Sequence, residues 1–153
     1  MVRYDIAEFV KRSAPLPAGN HAADLLTRLR ATLSGRRVLV VEDEFLTADE
    51  IAVAFARVGV GLVGPANSLR RALELLDTCG HLDGAVLDIN MRGEMVFPVA
   101  DALRKRGVPF IFATGYDPAK VVPERFRDVS LCMKPIDPLN VVQALFPNSG
   151  PTR

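Results

Sequence analysis

Four short apolar runs in this sequence end on residues able to do chemistry. Arg37-Val-Leu-Val-Val41 stops on Glu42-Asp43-Glu44, and Gly84-Ala-Val-Leu87 stops on Asp88. Pro109-Phe-Ile-Phe-Ala113 stops on Thr114, and Val129-Ser-Leu-Cys-Met133 on Lys134-Pro135. Runs of this length and composition fit strands buried on both faces, as in a parallel sheet covered by helices. Open sheets of that kind bind ligands just beyond the carboxyl ends of their strands. If the four runs are parallel neighbours, one rim gathers carboxylates, a hydroxyl and an ammonium. That is the inventory for a divalent metal beside a phosphorylatable aspartate.

Magnesium takes oxygen ligands in an octahedron, usually one or two carboxylates with waters and a phosphoryl oxygen. Asp43 and Asp88 are short enough to ligate directly, whereas Glu42, one methylene longer, suits a water-bridged place. Like charges at ~4 Å repel by roughly 4 kcal/mol at an effective dielectric of 20, so the cluster calls for a cation. Beside that cation Asp88 is an ionised nucleophile whose attack on phosphorus gives an acyl phosphate. Phosphoryl transfer asks mostly for positioning and for neutralisation of three equatorial oxygens. Thr114 offers a hydroxyl to one, Lys134 an ammonium to another, and Mg²⁺ the third. Nothing else resembles a general acid or base. Each signal alone has a plainer reading: an acidic triplet suits a helix N-terminus, and Thr114-Gly115 an ordinary turn. Four of them at four consecutive strand ends point to one site.

The elements that must position these residues alternate between strand and helix from Arg37 onward, the pattern of a parallel α/β sheet. The first strand is followed by a helix over 44–58, with Ala48, Ile51, Ala52 and Phe55 on one face, ending at Gly59. A short second strand over 61–64 meets Pro65. Ser68 caps a helix carrying Leu69, Ala72, Leu73, Leu75, Leu76 and Cys79, closed by Gly80. The segment after Asp88 reads as a polar loop, with Asn90, Arg92, Gly93 and Glu94. Pro98 suits the first turn of a helix running to Arg106. Pro118 and Pro123 leave room only for a short or mobile fourth helix. Asp137 and Pro138 open a last helix with Leu139, Val142, Leu145 and Phe146. The expected fold is a three-layer α/β/α sandwich, flavodoxin-like, with strand order 2-1-3-4-5. Its switch point falls between Asp43 and Asp88.

The sequence divides into an N-terminal helical extension (1–36), the α/β domain (37–147) and a tail (148–153). In the extension Ile6, Phe9 and Val10 form a short stripe, Pro15 and Pro17 break it, and Asn20 caps a second helix with Leu25, Leu26, Leu29 and Leu33 on one face. Two roles fit that face: packing on its own domain, or self-association and partner binding. A phosphotransfer histidine needs a long two-helix hairpin, which His21 lacks. With 153 residues, 49% hydrophobic content and a net charge of +1, the chain can bury a core but has no electrostatic case for nucleic acid or anionic membrane. No apolar run or basic-then-apolar N-terminus suggests membrane or export, so the expected location is cytoplasmic. Cys79 and Cys132 sit in apolar settings and read as buried thiols.

Taken together, Val38-Leu-Val-Val-Glu42-Asp43-Glu44, Leu87-Asp88-Ile-Asn90-Met91, Ala113-Thr114-Gly115 and Lys134-Pro135 resemble the receiver domain of a bacterial two-component response regulator. The resemblance covers about three quarters of the chain. It implies that Asp88 is the phosphoacceptor, Glu42 and Asp43 the acidic pair, and Asn90 the source of a backbone carbonyl for Mg²⁺. Thr114 becomes the switch hydroxyl, Lys134 the phosphate-binding lysine, and the Lys134–Pro135 bond cis. Pro109-Phe-Ile-Phe-Ala-Thr-Gly-Tyr116 and Val96-Phe-Pro-Val-Ala-Asp-Ala-Leu103 are similar to the subgroup nicknamed FAT GUY, which implies a sensor histidine kinase of HWE or HisKA-2 type as partner. Two departures stand out: Leu131 occupies the usual place of the switch aromatic, and the fourth helix is interrupted by proline. Tyr116 is therefore the ring expected to move. The implied function is a single-domain response regulator that binds a downstream protein when phosphorylated or drains phosphate, not an enzyme beyond slow self-catalysed transfer. A phosphorylation-independent interaction module is the alternative. An aspartyl-phosphate phosphohydrolase fits less well, since it wants its nucleophile on the first strand with an acid two residues on, and position 90 is Asn.

Overall fold

The computed structural model describes residues 21–115, 117, 120–136 and 138–147. The expectations for Ile6, Phe9, Val10, Asn20, Tyr116, Pro118, Asp137 and the tail lie outside them. Helix α1 (His21–Leu33) leads into β1 (Arg37–Val41), α2 (Phe45–Arg57), β2 (Gly61–Ala66), α3 (Leu69–Thr78) and β3 (Gly84–Asp88). Then come β4 (Asn90–Met91), β5 (Glu94–Met95), α4 (Phe97–Lys105), β6 (Phe110–Thr114), a 3-10 turn (Glu124–Phe126), β7 (Leu131–Met133) and α5 (Pro138–Leu145).

Five strands form a parallel sheet in the order β2-β1-β3-β6-β7, the 2-1-3-4-5 order the sequence implies. Every residue of the central strand β3 is buried, which is why an unbroken apolar run suits it. Alternate residues feed two cores. Leu39, Val41, Ala85, Leu87 and Phe112 face α3 and α4, meeting Ala72, Leu76, Val99 and Leu103. Val38, Val40, Val86, Ile111 and Ala113 face the other way, onto Ile51 and Phe55 of α2 and Val141, Val142 and Leu145 of α5. This is a three-layer sandwich, and its register decides the site. Val41 pairs with Leu87 and Asp88 with Ala113, while Thr114 pairs with Met133. The carboxyl ends of β1, β3, β6 and β7 therefore share one rim.

Several local expectations need correction. Strand β2 runs through Pro65 to Ala66, because a register shift beside Leu39 and Val41 accommodates it. Gly64 makes this possible: its φ is 98°, and a Cβ there would lie 2.8 Å from the Val40 carbonyl oxygen. Strand β7 starts at Leu131 rather than Val129, whose amide instead closes the 3-10 turn on Phe126 O at 3.0 Å. The stretch after Asp88 is not a loop but a small antiparallel hairpin of β4 and β5. Where the prolines leave room for a short fourth helix, the described residues include the 3-10 turn Glu124–Phe126.

That turn is anchored by Phe126, which is fully buried. Its ring stacks on Phe97 at 5.7 Å and meets Phe112 edge-on at 5.6 Å. Arg104 forks onto Asp128 at 2.9 and 3.0 Å, and Arg125 onto Asp101 at 3.1 Å. Both guanidinium groups also lie over the Phe126 ring, at 5.0 and 4.6 Å.

At the other end, α1 uses its stripe within the chain. Leu29 and Leu33 are buried against Val38, Phe55, Val58 and Val60, with Leu25 and Leu26 half-buried beside them. Two of the four leucines considered for self-association are thus already spent on the chain's own core. Neither Cys79 nor Cys132 is in a disulfide; Cys132 is buried and Cys79 half-buried. Among the described residues no helix is long and apolar enough to cross a membrane.

Candidate metal and phosphoryl site

Asp88 is the last residue of β3, and Glu42 and Asp43 follow directly on β1, its hydrogen-bonded neighbour. Strand ends in register bring the three side chains together: one carboxylate oxygen from each lies within 4.8 Å of the others. Glu42 and Asp88 are buried, only 3% and 7% exposed, and Asp43 is half-buried. The donor set, all hard oxygen, can hold a divalent metal ion.

Lys134 supplies the first counter-charge. Its backbone amide donates to the Thr114 carbonyl at 2.8 Å, fixing the base of the side chain at the end of β6. From there the ammonium passes over the rim to Glu42 Oε2 at 2.9 Å and Asp88 Oδ2 at 3.1 Å. Burial alone would lower the Lys134 pKa, but the hydrogen bonds to Glu42 and Asp88 outweigh it and the net shift is upward. The lysine is an ammonium throughout the physiological range.

Glu42 is the uneasy member. Burial pushes its carboxyl to about 7 from an ordinary 4.5, against the pull of the Glu44 amide and of Lys134. Both of its oxygens already have donors: Oε1 takes the Glu44 amide at 2.9 Å and Oε2 takes Lys134. Direct ligation would have to share an oxygen that a donor already engages. A water-bridged place for Glu42 needs neither bond to break. Asp43 instead faces Arg92, whose Nε lies 3.3 Å from Oδ2.

Asp88 Oδ1 accepts the Asn90 amide at 3.3 Å, so each oxygen of this carboxylate has one donor. Asn90 also uses its side chain, accepting the Gly93 amide at 2.7 Å and closing the hairpin. Thr114 ends β6, the strand next to Asp88, and is buried. Leu131, at the edge of the sheet, is 39% exposed. Of the residues singled out in the sequence, Glu42, Asp43, Asp88 and Lys134 form one cluster, with Thr114 and Asn90 at its border. Arg92 belongs with them and was not foreseen. Its signal, a two-residue turn between two two-residue strands, is too short for periodicity to register.

No family model matches the chain. The sensory transduction protein LytT of Bacillus cereus is 33% identical over 112 residues, which are 71% of this chain and 45% of LytT. The chain thus spans about half the length of the curated relatives it matches. Among solved structures, the BeF3-activated conformation of SdrG from Pseudomonas melonis Fr1 is 37% identical, with a TM-score of 0.60 over 71% of this chain and 92% of that one. The REC domain of the PhyR response regulator from Erythrobacter litoralis is 26% identical, with a TM-score of 0.65 over 80% of this chain and 98% of that one.

Proposed function

This chain belongs to the receiver domains of response regulators, and on that premise we propose that it accepts a phosphoryl group from a sensor histidine kinase on Asp88, with Mg²⁺ as cofactor. The observation that carries this reading is the placement of Asp88: its carboxylate shares one rim with Glu42 and Asp43 and is held 3.1 Å from the Lys134 ammonium. Asp43 and Asp88 would hold the ion directly, Glu42 through water, and Asn90 would lend its backbone carbonyl. A divalent ion held there would supply neutralisation of the charge developing on the phosphoryl oxygens. Asp88 forms the bond to phosphorus as the bond to the donor's imidazole nitrogen breaks. Lys134 then pairs with one oxygen of the transferred group, and Thr114, released from its present contacts, donates its hydroxyl to another. The domain acts as a signalling acceptor rather than a turnover enzyme.

A protein donor must dock beside the acceptor, and Phe45 and Leu46 stand exposed at the first turn of α2, immediately after the acidic residues. The Pro109–Tyr116 and Val96–Leu103 runs support the FAT GUY subgroup, and with it an HWE or HisKA-2 kinase. Output runs through phosphorylation-dependent binding of a downstream protein or through drainage of phosphate.

Beryllofluoride, the phosphoryl mimic carried by the SdrG structure, tests the reading. Amide spectra of the wild type should change on addition of beryllofluoride only when Mg²⁺ is present, and Asp88→Asn should not respond. A wild type blind to the mimic would leave a phosphorylation-independent interaction module as the function.

A further inference from the structure

Arg92 stands where a hairpin turn is best made by asparagine or glycine. The register Met91↔Glu94 leaves Arg92 and Gly93 as the whole turn, and their φ values are 54° and 91°. Two consecutive positive φ values fit the tight type I′ turn, which favours Asn, Asp or Gly at its first position. Arginine has no short side chain to bond locally, so the left-handed conformation costs it backbone free energy. It is the one non-glycine residue with positive φ among those described. What the position does give is an address. The side chain is 75% exposed, yet its Nε lies 3.3 Å from Asp43 Oδ2.

The pairing divides the acidic cluster between two cations. Lys134 serves Glu42 and Asp88, and Arg92 serves Asp43. A divalent ion bound at Asp43 would bring two positive charges beside a guanidinium that already neutralises that carboxylate, so repulsion between the cations favours release of Arg92. Asp43 Oδ2 also cannot offer the same lone pair to the metal and to Arg92.

We infer that Arg92 is the resident counter-cation of Asp43, which an incoming divalent ion must displace, so that the hairpin turn sets the metal affinity of the site. The inference rests on the metal-binding reading of Glu42, Asp43 and Asp88. The two contacts are unequal by design: Lys134 is largely buried and anchored through its backbone, whereas Arg92 reaches in from solvent on a turn. An exposed pair of this kind is weak, so the competition it offers is a matter of about two- to five-fold in affinity, enough to tune the site without closing it.

Magnesium chloride titrated into the full chain at fixed ionic strength tests this, with amide shifts as readout for wild type, Arg92→Gln and Arg92→Lys. Arg92→Gln keeps the length and removes the charge, and should bind Mg²⁺ about two- to five-fold more tightly. Arg92→Lys keeps the charge and should fall between the two. In the wild type the Arg92 Nε–H resonance should move toward those of unpaired arginines as Mg²⁺ saturates. Equal affinity in wild type and Arg92→Gln, or an Nε–H resonance unmoved at saturation, overturns the inference and leaves the metal site standing. Absence of Mg²⁺ binding in all three proteins removes both.

Discussion

The Lys134 ammonium bridges two carboxylates that come from different strands, 2.9 Å from Glu42 and 3.1 Å from Asp88. It reaches them across the end of β6, because β7 lies two strands from β3 in the sheet. Removing it leaves Glu42 buried without its cation. Lys134→Ala should therefore destabilise the metal-free protein by about 3 kcal/mol at pH 8, as measured by urea unfolding. At pH 6, where Glu42 is largely protonated, the cost should shrink. An equal loss at both pH values would mean that the ion pair is not what the lysine contributes.

The pH dependence of the unmodified protein follows from Glu42. Its folded carboxyl keeps its proton up to about pH 7, whereas an ordinary one releases it near 4.5. Between those values unfolding releases a proton, so stability is fully present below about 4.5 and falls as pH rises through 7. The loss is at most about 3 kcal/mol. Melting in chelator from pH 5 to pH 8 should show that decline, and Glu42→Gln should flatten it. A wild type whose stability stays level or rises across the window contradicts the assignment.

Phe126 anchors the 3-10 turn Glu124–Phe126. Phe126→Ala should cost about 3–5 kcal/mol, since it opens a cavity among Phe97, Phe110 and Phe112. Asp128→Ala, which breaks only an exposed pair with Arg104, should cost less than about 1 kcal/mol. Denaturant unfolding of the two variants decides between an aromatic and an electrostatic anchor.

The same anchor should limit how far a response to beryllofluoride travels. On the proposed reading, with Phe126 pinned, that response should be concentrated in residues 115–122 and fade by 124–128. Tyr116→Ala should blunt that response, and Leu131→Ala should leave it largely intact. Amide shifts spread evenly to Arg127, or lost in Leu131→Ala alone, would put the switch on β7 instead.

Much of this architecture is legible in the sequence because burial on both faces leaves uninterrupted apolar runs. The run before Asp88 marks β3 to the residue, and the acidic triplet after Val41 marks the rim. Edges are less legible. Strand β7 pairs on one side only, so Leu131 and Met133 stay exposed and Val129 is drawn into a turn. Strand β2 passes through Pro65, which as an edge residue loses no ladder bond, so proline was a poor stop signal there. The Phe126 anchor depends on rings from α4 and β6 converging on it, and no local pattern announces that. Arg92 illustrates the same limit at the site: its partner Asp43 lies on a different strand, and only the hairpin brings them together.

The most direct test of the account is the site of phosphorylation itself. Wild type and Asp88→Asn should be incubated with acetyl phosphate and Mg²⁺, and their intact masses compared. Wild type should gain a single phosphoryl group, lost again on alkaline or hydroxylamine treatment as an acyl phosphate must be, and Asp88→Asn should gain none. Equal uptake by the two proteins would contradict the assignment of Asp88 as the acceptor.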